Sequence, residues 1–277
     1  MKKRHKIQSR QLLLHIILII GALIVIFPIL WSVLGSFKTE GEIVGFPPTF
    51  FPQTPTIENY ITVLTQIDFA IYFRNSIILS IIIPFMICYT SALTGYVLAK
   101  MRFKSRNAIF LTILVTMMFP WPITIIPLLQ TVTKFGWTNN YMALIIPVAF
   151  NAFGIFLMRQ FCISIPDELI DAARIDGANE FRIFHKIIIP LLWPPISALA
   201  IFTFLWTWED FLWPFLVLST NNILTLTLGL NRFVGIYYPT VGPMLAGSSI
   251  AIIPVLIFYF IFQNKFIEGA TLSGLKG

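Results

Sequence analysis

Two adjacent acidic residues, Glu209 and Asp210, lie inside a strongly apolar stretch and are the first candidates for chemistry. A charge at the bilayer centre costs about 2.5–3.5 kcal/mol on insertion scales, so such a residue tends to face a polar cavity or a partner. Trp206, Trp208 and Trp213 surround the pair. Carboxylates accept hydrogen bonds from sugar hydroxyls, and flat aromatic faces suit sugar rings. The pattern predicts that Trp206, Trp208, Glu209 and Asp210 line a polar path through a membrane, with direct sugar contact as a narrower hypothesis.

The same pair has two other interpretations. At 1.5 Å per residue, Glu209 would lie about 24 Å along a helix that starts near Trp193, which could place it among the outer headgroups. The tryptophans would then form an ordinary interfacial belt. Alternatively, the pair could bind a partner membrane subunit or cap a break in the helix. Because neighbouring residues on a helix point about 100° apart, at most one carboxylate should face the path directly.

A second candidate is the polar segment from Ser164 to Pro190. Ser164 could cap a helix, with Asp167 as its capping-box partner. Asp176-Gly177 indicates a turn, because glycine adopts a positive φ readily. A second amphipathic helix follows and runs to Pro190. The expected apolar stripe of the first helix comprises Leu169, Ala172, Ala173 and Ile175. The segment predicts a helix–turn–helix with a small tip suited to a partner's cleft. The alternative is a plain amphipathic helix on the membrane surface, which the Asp-Gly step would interrupt.

The composition indicates a membrane protein. Hydrophobic residues make up 57% of the 277 residues and charged residues only 11%, whereas a soluble domain carries about 25% charged residues. The formal net charge of +7 could indicate nucleic-acid binding in a soluble protein. Here the basic residues are scattered between apolar stretches, which favours the membrane. His5, His15 and His185 have no metal-ligand spacing, and Cys88 and Cys162 are expected to be free thiols.

Six apolar stretches are candidates for membrane-spanning helices, which require roughly 20 residues each. They comprise residues 12–34, 76–99, 108–132, 142–158, 191–218 and 244–262. The predicted fold is therefore an all-α membrane protein of about six transmembrane helices in a single domain, 1–277. A long loop, 35–75, follows the first span, and within it Thr56 is expected to cap a short helix. The first span is longer than a signal-peptide core and is predicted to be retained.

Lysine and arginine divide unequally between the two sides of this arrangement. Fifteen lie on the side of the two termini and the loops around 100–106 and 164–190, and four lie on the other side. Because cytoplasmic loops carry the excess of Lys and Arg, both termini are predicted to be cytoplasmic and the loop 35–75 to lie outside.

The segment 164–190 resembles a loop of a known protein family. Asp171-Ala172-Ala173, then Gly177 and Pro190, resemble the signature loop of permease subunits from binding-protein-dependent ATP-binding-cassette importers. Glutamate is usual in that family where Asp171 stands. Further blocks resemble the carbohydrate branch, and the chain is similar to the smaller membrane subunit of maltose-type transporters. These blocks are 55–60, 73–76, 95–103, 211–214 and 265–277.

The resemblance implies a type I importer permease fold in a bacterial cell membrane. It implies a second permease, two ATP-binding-cassette ATPase subunits and an extracellular sugar-binding protein as partners, and no nucleic acid. The coupling helix seated in an ATPase would comprise Asp171, Ala172, Ala173, Asp176 and Gly177. By the same resemblance, residues 268–277 would reach toward the ATPases. The loop 219–243, with Arg232, Tyr237 and Tyr238, would face the binding protein.

The chain itself is not expected to be an enzyme. No Gly-x-x-x-x-Gly-Lys-[Ser/Thr] phosphate-binding loop occurs in it, so ATP and magnesium are expected in partner subunits, with no cofactor or metal here. Two alternatives remain: an ion-coupled secondary sugar transporter and a non-transporting membrane scaffold. The docking loop argues against the first, and the acidic pair inside a span argues against the second. Disaccharides, longer oligosaccharides, glycerol phosphate and other polyols all remain open as substrates.

Overall fold

The structure, a computed structural model, describes the backbone of residues 2–233 and 240–274 and the side chains of 11–233 and 240–263. Tyr237, Tyr238 and the side chains of 268–277, for which roles were predicted, lie outside these described residues. The described part of the chain consists of helices and the connections between them, with no β-strand in it.

The helices follow one another in chain order. They are α1 (Lys2–Ser36), α2 (Glu40–Ile43), α3 (Glu58–Gln66), α4 (Phe69–Lys100), α5 (Arg106–Thr116), α6 (Trp121–Lys134), α7 (Met142–Ile145), α8 (Ala152–Ser164), α9 (Asp167–Ile175), α10 (Glu180–Ile183), α11 (Ile189–Leu191), α12 (Trp193–Glu209), α13 (Leu212–Val217), α14 (Leu226–Leu230) and α15 (Val241–Gly274). A π-helical segment, Phe184–Ile188, joins α10 to α11, and 3₁₀ turns occupy Asn221–Ile223 and Asn231–Phe233.

Within the described residues, three helices are individually long and apolar enough to cross a membrane: α1, α4 and α15. Two further candidates are bent pairs. The axes of α5 and α6 differ by 104°, and those of the stretch 180–191 and α12 differ by 77°. Each pair counts as one span if both halves belong to the same crossing, which gives up to five spans. The apolar helix α8 is shorter. The prediction of an all-α membrane protein is confirmed.

Three of the predicted spans are broken rather than continuous. The stretch 108–132 divides at Pro120, which adopts an extended conformation before α6 and disfavours helix in the residue that precedes it. The stretch 142–158 divides between α7 and α8, where the Asn151 side chain accepts a hydrogen bond from the backbone of Gly154 at 2.8 Å and caps α8. The stretch 191–218 breaks at Asp210.

The loop between α1 and α4 is shorter than predicted, because α4 begins at Phe69. The short helix expected after Thr56 is present as α3, whose N-cap residue is Ile57. The Thr56 hydroxyl still accepts a hydrogen bond from the Glu58 backbone at 3.1 Å.

One compact unit comprises residues 70–229 and 255–277. In it, α4, α8 and α12 approach closely because small residues lie at the crossings. A Cβ atom on Gly95 of α4 would lie 2.7 Å from the Met158 Cβ of α8. A Cβ atom on Gly154 of α8 would lie 2.4 Å from the Ser91 hydroxyl of α4 and 2.9 Å from Leu199 of α12. In α4, 44% of the most apolar stretch is buried, so α4 is a core helix of this unit.

The other unit comprises residues 1–69 and 230–254. The Glu40 carboxylate accepts hydrogen bonds from the backbone of Val241 and Gly242 at 2.8 and 2.9 Å, and so caps the start of α15. Asn59 of α3 donates to the carbonyls of Ser36 and Lys38 at 2.9 and 2.7 Å. These bonds fix the end of α1 to α3.

Candidate functional site

The segment after α8 folds as a helix, a tight turn and a second helix. Gly177 has φ +79°, a left-handed conformation that glycine adopts without strain. The Gly177 N–H donates to the Arg174 carbonyl at 3.0 Å, and the Ala178 N–H donates to the Ala173 carbonyl at 2.9 Å. This pair of bonds is the Schellman motif, which satisfies the last carbonyls of a helix.

The five residues predicted for this site come together in the last turns of α9 and at its end. The Asp176 N–H donates to the Ala172 carbonyl at 3.0 Å, and Asp176 is the C-cap residue. The Asp171 carboxylate accepts from the Arg174 guanidinium at 3.1 Å. Ala172 and Ala173 therefore contribute through their backbone carbonyls, and Asp171 through its ion pair.

One detail predicted for this segment is wrong. Ser164 does not cap α9: it is the last residue of α8, and the extended residues Ile165 and Pro166 separate it from the start of α9. The inward-facing residue of α9 is Ile170, which is 2% exposed. Leu169 and Ile175, which were placed in the apolar stripe, are exposed.

Five side chains, which we call the anchoring cluster, attach α9 and the turn to the end of α4. They are Tyr96, Lys100, Asp167, Arg174 and Glu180. The Lys100 ammonium donates to the Asp167 carboxylate and to the Ile165 carbonyl. The Tyr96 hydroxyl donates to one Glu180 oxygen at 2.7 Å, and the Arg174 guanidinium donates to the other at 2.9 Å. Both ends of α9 are therefore attached to one core helix.

The carboxylates of the anchoring cluster are held in the charged form. The hydrogen bond from Lys100 lowers the pKa of Asp167. Burial raises the pKa of Glu180, but the hydrogen bonds from Tyr96 and Arg174 outweigh burial, and its net shift is downward. Because both folded-state pKa values are lowered, the cluster stabilises the loop at neutral pH. That contribution is lost as the pH falls through these values.

After the turn, Asn179 caps α10: its side chain accepts from the Arg182 backbone at 2.8 Å. Ile183, Phe184 and Ile188 are buried. The π-helical segment 184–188 and the bend of 77° before α12 then redirect the chain. The loop is thus continuous with α12, the helix that ends at the acidic pair.

The acidic pair has two different environments. Glu209 is exposed at the end of α12, on the same face as Trp206, which is 62% exposed. Asp210 has an extended backbone where the helix breaks, and its carboxylate accepts from the backbone N–H of Trp213 at 3.4 Å. Trp208 is 5% exposed, and its ring packs against Phe204 and Phe73 with centroids 6.3 and 6.0 Å apart. The structure therefore separates Trp206 and Glu209 from Asp210 and Trp208.

The chain beyond Asp210 is fixed by polar side chains of α4. Asn75 donates to the carbonyls of Asn222 and Leu224, each at 3.0 Å, and the Ser76 hydroxyl accepts from the Leu226 backbone at 2.8 Å. The Thr227 hydroxyl donates to the Asp210 carbonyl at 2.9 Å. The two ends of α4 thus position both candidate regions.

Sequence reasoning missed the roles of Tyr96, Lys100 and Glu180. One signal was available: Tyr96 and Lys100 are four residues apart, so they share one face of α4 near its end. Their partners lie 84 and 67 residues away in the chain, and no local pattern shows that pairing.

Comparison with known proteins relates the chain to a transport family. Residues 91–266 match the family model described as binding-protein-dependent transport system inner membrane component. An arabinooligosaccharides transport system permease protein of Halalkalibacterium halodurans is 39% identical over 259 residues, covering 92% of this chain and 93% of the relative. A lactose transport system permease protein of Rhizobium radiobacter is 32% identical over 253 residues, covering 91% and 92%.

A solved structure has a similar fold along nearly the whole chain. It is that of a bacterial ABC transporter involved in the import of the acidic polysaccharide alginate, with a TM-score of 0.80 and 25% identity, covering 93% of this chain and 96% of the other. The predicted permease resemblance and importer fold are thereby confirmed. The chain belongs to the family of binding-protein-dependent transport system inner membrane components.

Proposed function

We propose that this chain is a transmembrane subunit of an ATP-driven importer, that it lines part of the translocation path for a sugar or oligosaccharide, and that it couples closure of partner ATPases to alternating access. The family match supports the transport role. Relatives named for arabinooligosaccharides and lactose support a sugar as substrate.

The observation that carries the coupling role is the exposed tip of the loop. Apart from Gly177 and its two neighbours in the chain, no residue has an atom within 4 Å of the position that a Cβ on Gly177 would occupy. Ile175 is 87% exposed and Phe181 is 70% exposed on either side of it. Two exposed apolar side chains beside an open glycine are suited to a partner's pocket. The anchoring cluster would transmit a force on this tip to α4.

The proposed partners follow from the family's architecture. A second permease would complete the membrane pair, two ATPase subunits would receive the coupling loops and bind ATP and magnesium, and an extracellular sugar-binding protein would deliver the substrate. The distribution of basic residues supports both termini in the cytoplasm, and the bacterial relatives support location in a bacterial cell membrane.

The four residues predicted to line the path differ in their exposure. Trp206 and Glu209 share an exposed face of α12, where an aromatic ring and a carboxylate could meet a sugar. Trp208 and Asp210 lie against other parts of the subunit, so in this proposal they shape α12 and its break and do not meet the substrate directly.

The coupling role is tested by enlarging Gly177. Gly177→Trp should prevent ATPase subunits from co-purifying or should uncouple ATP hydrolysis from uptake, because the bulk would occupy the partner's pocket. Gly177→Ala is the control, because it carries the same left-handed backbone cost of about 1–2 kcal/mol without the bulk. Both variants should insert normally. Normal ATPase co-purification and normal uptake for Gly177→Trp would refute the docking role.

A further inference from the structure

The connection between α4 and α5 carries a concentration of positive charge. Lys100, Arg102, Lys104 and Arg106 all lie in the stretch 100–106. No acidic residue occurs in the sequence between Asp68 and Asp167, so the connection has no counter-charge nearby in the chain. Its positive charge must be neutralised by tertiary contacts, by solvent ions or by a ligand.

Tertiary contacts use two of these four cations. Lys100 belongs to the anchoring cluster. The Arg106 guanidinium donates to the carbonyls of Ala99 and Met101 at 3.3 and 3.5 Å, which satisfies the end of α4. Arg102 and Lys104 are exposed, and neither forms an ion pair with a residue in the described part of the chain. Arg102 interacts with Asp167 only through space, without an ion pair, so the side-chain donors of both cations are available to a ligand.

These two cations border a surface depression of about 510 Å³. Its lining residues are Arg102, Phe103, Lys104, Arg106 and Asn107. Asn107 adds an amide that can donate a hydrogen bond. Because Arg106 and Asn107 are the first residues of α5, the depression lies at the end of the helix toward which its N–H groups point. A depression lined in this way suits an oxyanion, and above all a phosphate group.

The surroundings of the depression are apolar. Phe103, in its lining, is 40% exposed. Leu111 and Val115 follow Asn107 at four-residue steps on the same face of α5 and are 60% and 46% exposed. Since α5 is one half of a candidate membrane span, this arrangement places a phosphate site beside a surface that an acyl chain can cover.

We propose that the depression binds the headgroup phosphate of an anionic phospholipid, with Arg102 and Lys104 as the charged ligands and the acyl chains along α5. A lipid fits better than a free phosphate, because only a lipid uses the exposed apolar residues as well as the cations. The proposal does not depend on which side of the membrane the connection faces. A bound lipid would hold the connection at the membrane surface, next to Lys100 and hence next to the start of α9.

The test is lipid binding to the purified full-length chain in a mild detergent. Phosphatidylglycerol, or phosphatidylcholine with the same acyl chains, would be added in increasing amounts. Native mass spectrometry would count the lipids bound to the chain at each step. We expect a preference for phosphatidylglycerol. The double variant Arg102→Gln/Lys104→Gln should reduce that preference by roughly 25-fold, because each cation near a membrane surface contributes about fivefold in affinity for anionic lipid.

Three variants complete the test. Arg102→Lys/Lys104→Arg keeps both charges and should keep the preference. Arg182→Gln/Lys186→Gln removes two exposed cations from the helix after Gly177 and should leave the preference unchanged. If the first double variant does not fold, Lys104→Gln alone, at an exposed position, should still reduce the preference by about fivefold.

Three results would overturn the proposal. One is an unchanged preference in Arg102→Gln/Lys104→Gln. Another is an equal loss in Arg182→Gln/Lys186→Gln, which would indicate net charge rather than a site. The third is full displacement of phosphatidylglycerol by millimolar inorganic phosphate, which would assign the depression to a free anion.

Discussion

Glu209 and Asp210 are neighbours in sequence, but a change at each should be detected by a different measurement. Glu209 is exposed at the end of α12, whereas Asp210 sits at the helix break with its backbone carbonyl bonded to Thr227. Glu209→Leu should reduce sugar uptake per assembled complex and leave the yield of complex unchanged. Asp210→Leu should instead reduce the yield, because the backbone N–H of Trp213 loses its acceptor, a loss comparable to removing a helix cap at about 1 kcal/mol.

The readout is the uptake of labelled sugars, beginning with arabinooligosaccharides, normalised to complex recovered from the membrane. Glu209→Gln is the matched control, since it keeps hydrogen-bonding capacity and should retain most of the uptake if hydrogen bonding, rather than charge, is what the path requires. Wild-type uptake in all three variants would leave the pair as a feature of the headgroup region and would remove it from the path.

At this scale, residue types predict what a side chain can bind but not which residues meet. The Asp171–Gly177 pattern is local, so its turn could be predicted from the properties of glycine alone. The bond between Tyr96 and Glu180 joins residues 84 positions apart and depends on how α4 packs beside the loop. For the same reason, the sequence could not show that Trp208 would be buried while Trp206 stayed exposed.

The close crossing of α4 and α8 makes a prediction with a matched control. A Cβ on Gly95 would lie 2.7 Å from the Met158 Cβ and 2.8 Å from the Arg159 backbone nitrogen. Neither atom is the end of a flexible side chain, so Gly95→Ala should lower the stability of the full chain by about 1–3 kcal/mol, as overpacking does. Gly21→Ala on α1 meets no atom within 4 Å and should be neutral or stabilising, because alanine favours helix by about 1 kcal/mol over glycine.

Thermal unfolding of each variant in the same detergent would measure the difference. Equal midpoints for Gly95→Ala and the wild-type chain would mean that α8 can move away from α4 at little cost. In that case the two helices would not be a rigid pair, and the anchoring cluster would hold the loop without support from this crossing.

At the scale of elements, the apolar stretches predicted where helices occur, and the structure shows where those stretches break. Hydropathy indicates whether a segment lies in lipid or in water, but it carries no information on the direction of the backbone. It therefore could not predict the angle of 104° between α5 and α6 or the break at Asp210. Pro120 lies at the first of these breaks, but a proline alone does not distinguish a kinked helix from two separate ones.

At the scale of the whole molecule, the family match and the fold leave the orientation in the membrane to be measured. The imbalance of basic residues predicts that Ser105 and Ser164 face the cytoplasm and that Thr54 faces outward. All three are exposed, so a cysteine introduced at any of them can be labelled. Cys88 and Cys162 are buried and would first be replaced by alanine, to give a background without native thiols.

In intact cells, a membrane-impermeant maleimide should label Thr54→Cys and leave Ser105→Cys and Ser164→Cys unlabelled. Permeabilised cells provide the control, because all three should then react. The two inner positions flank Lys100 and Asp167, which are ion-paired, so they must report the same side whatever the orientation is. Labelling of Ser105→Cys in intact cells would place the loop 164–190 outside, where no ATPase could reach it. Such a result would refute the proposed coupling role together with the topology.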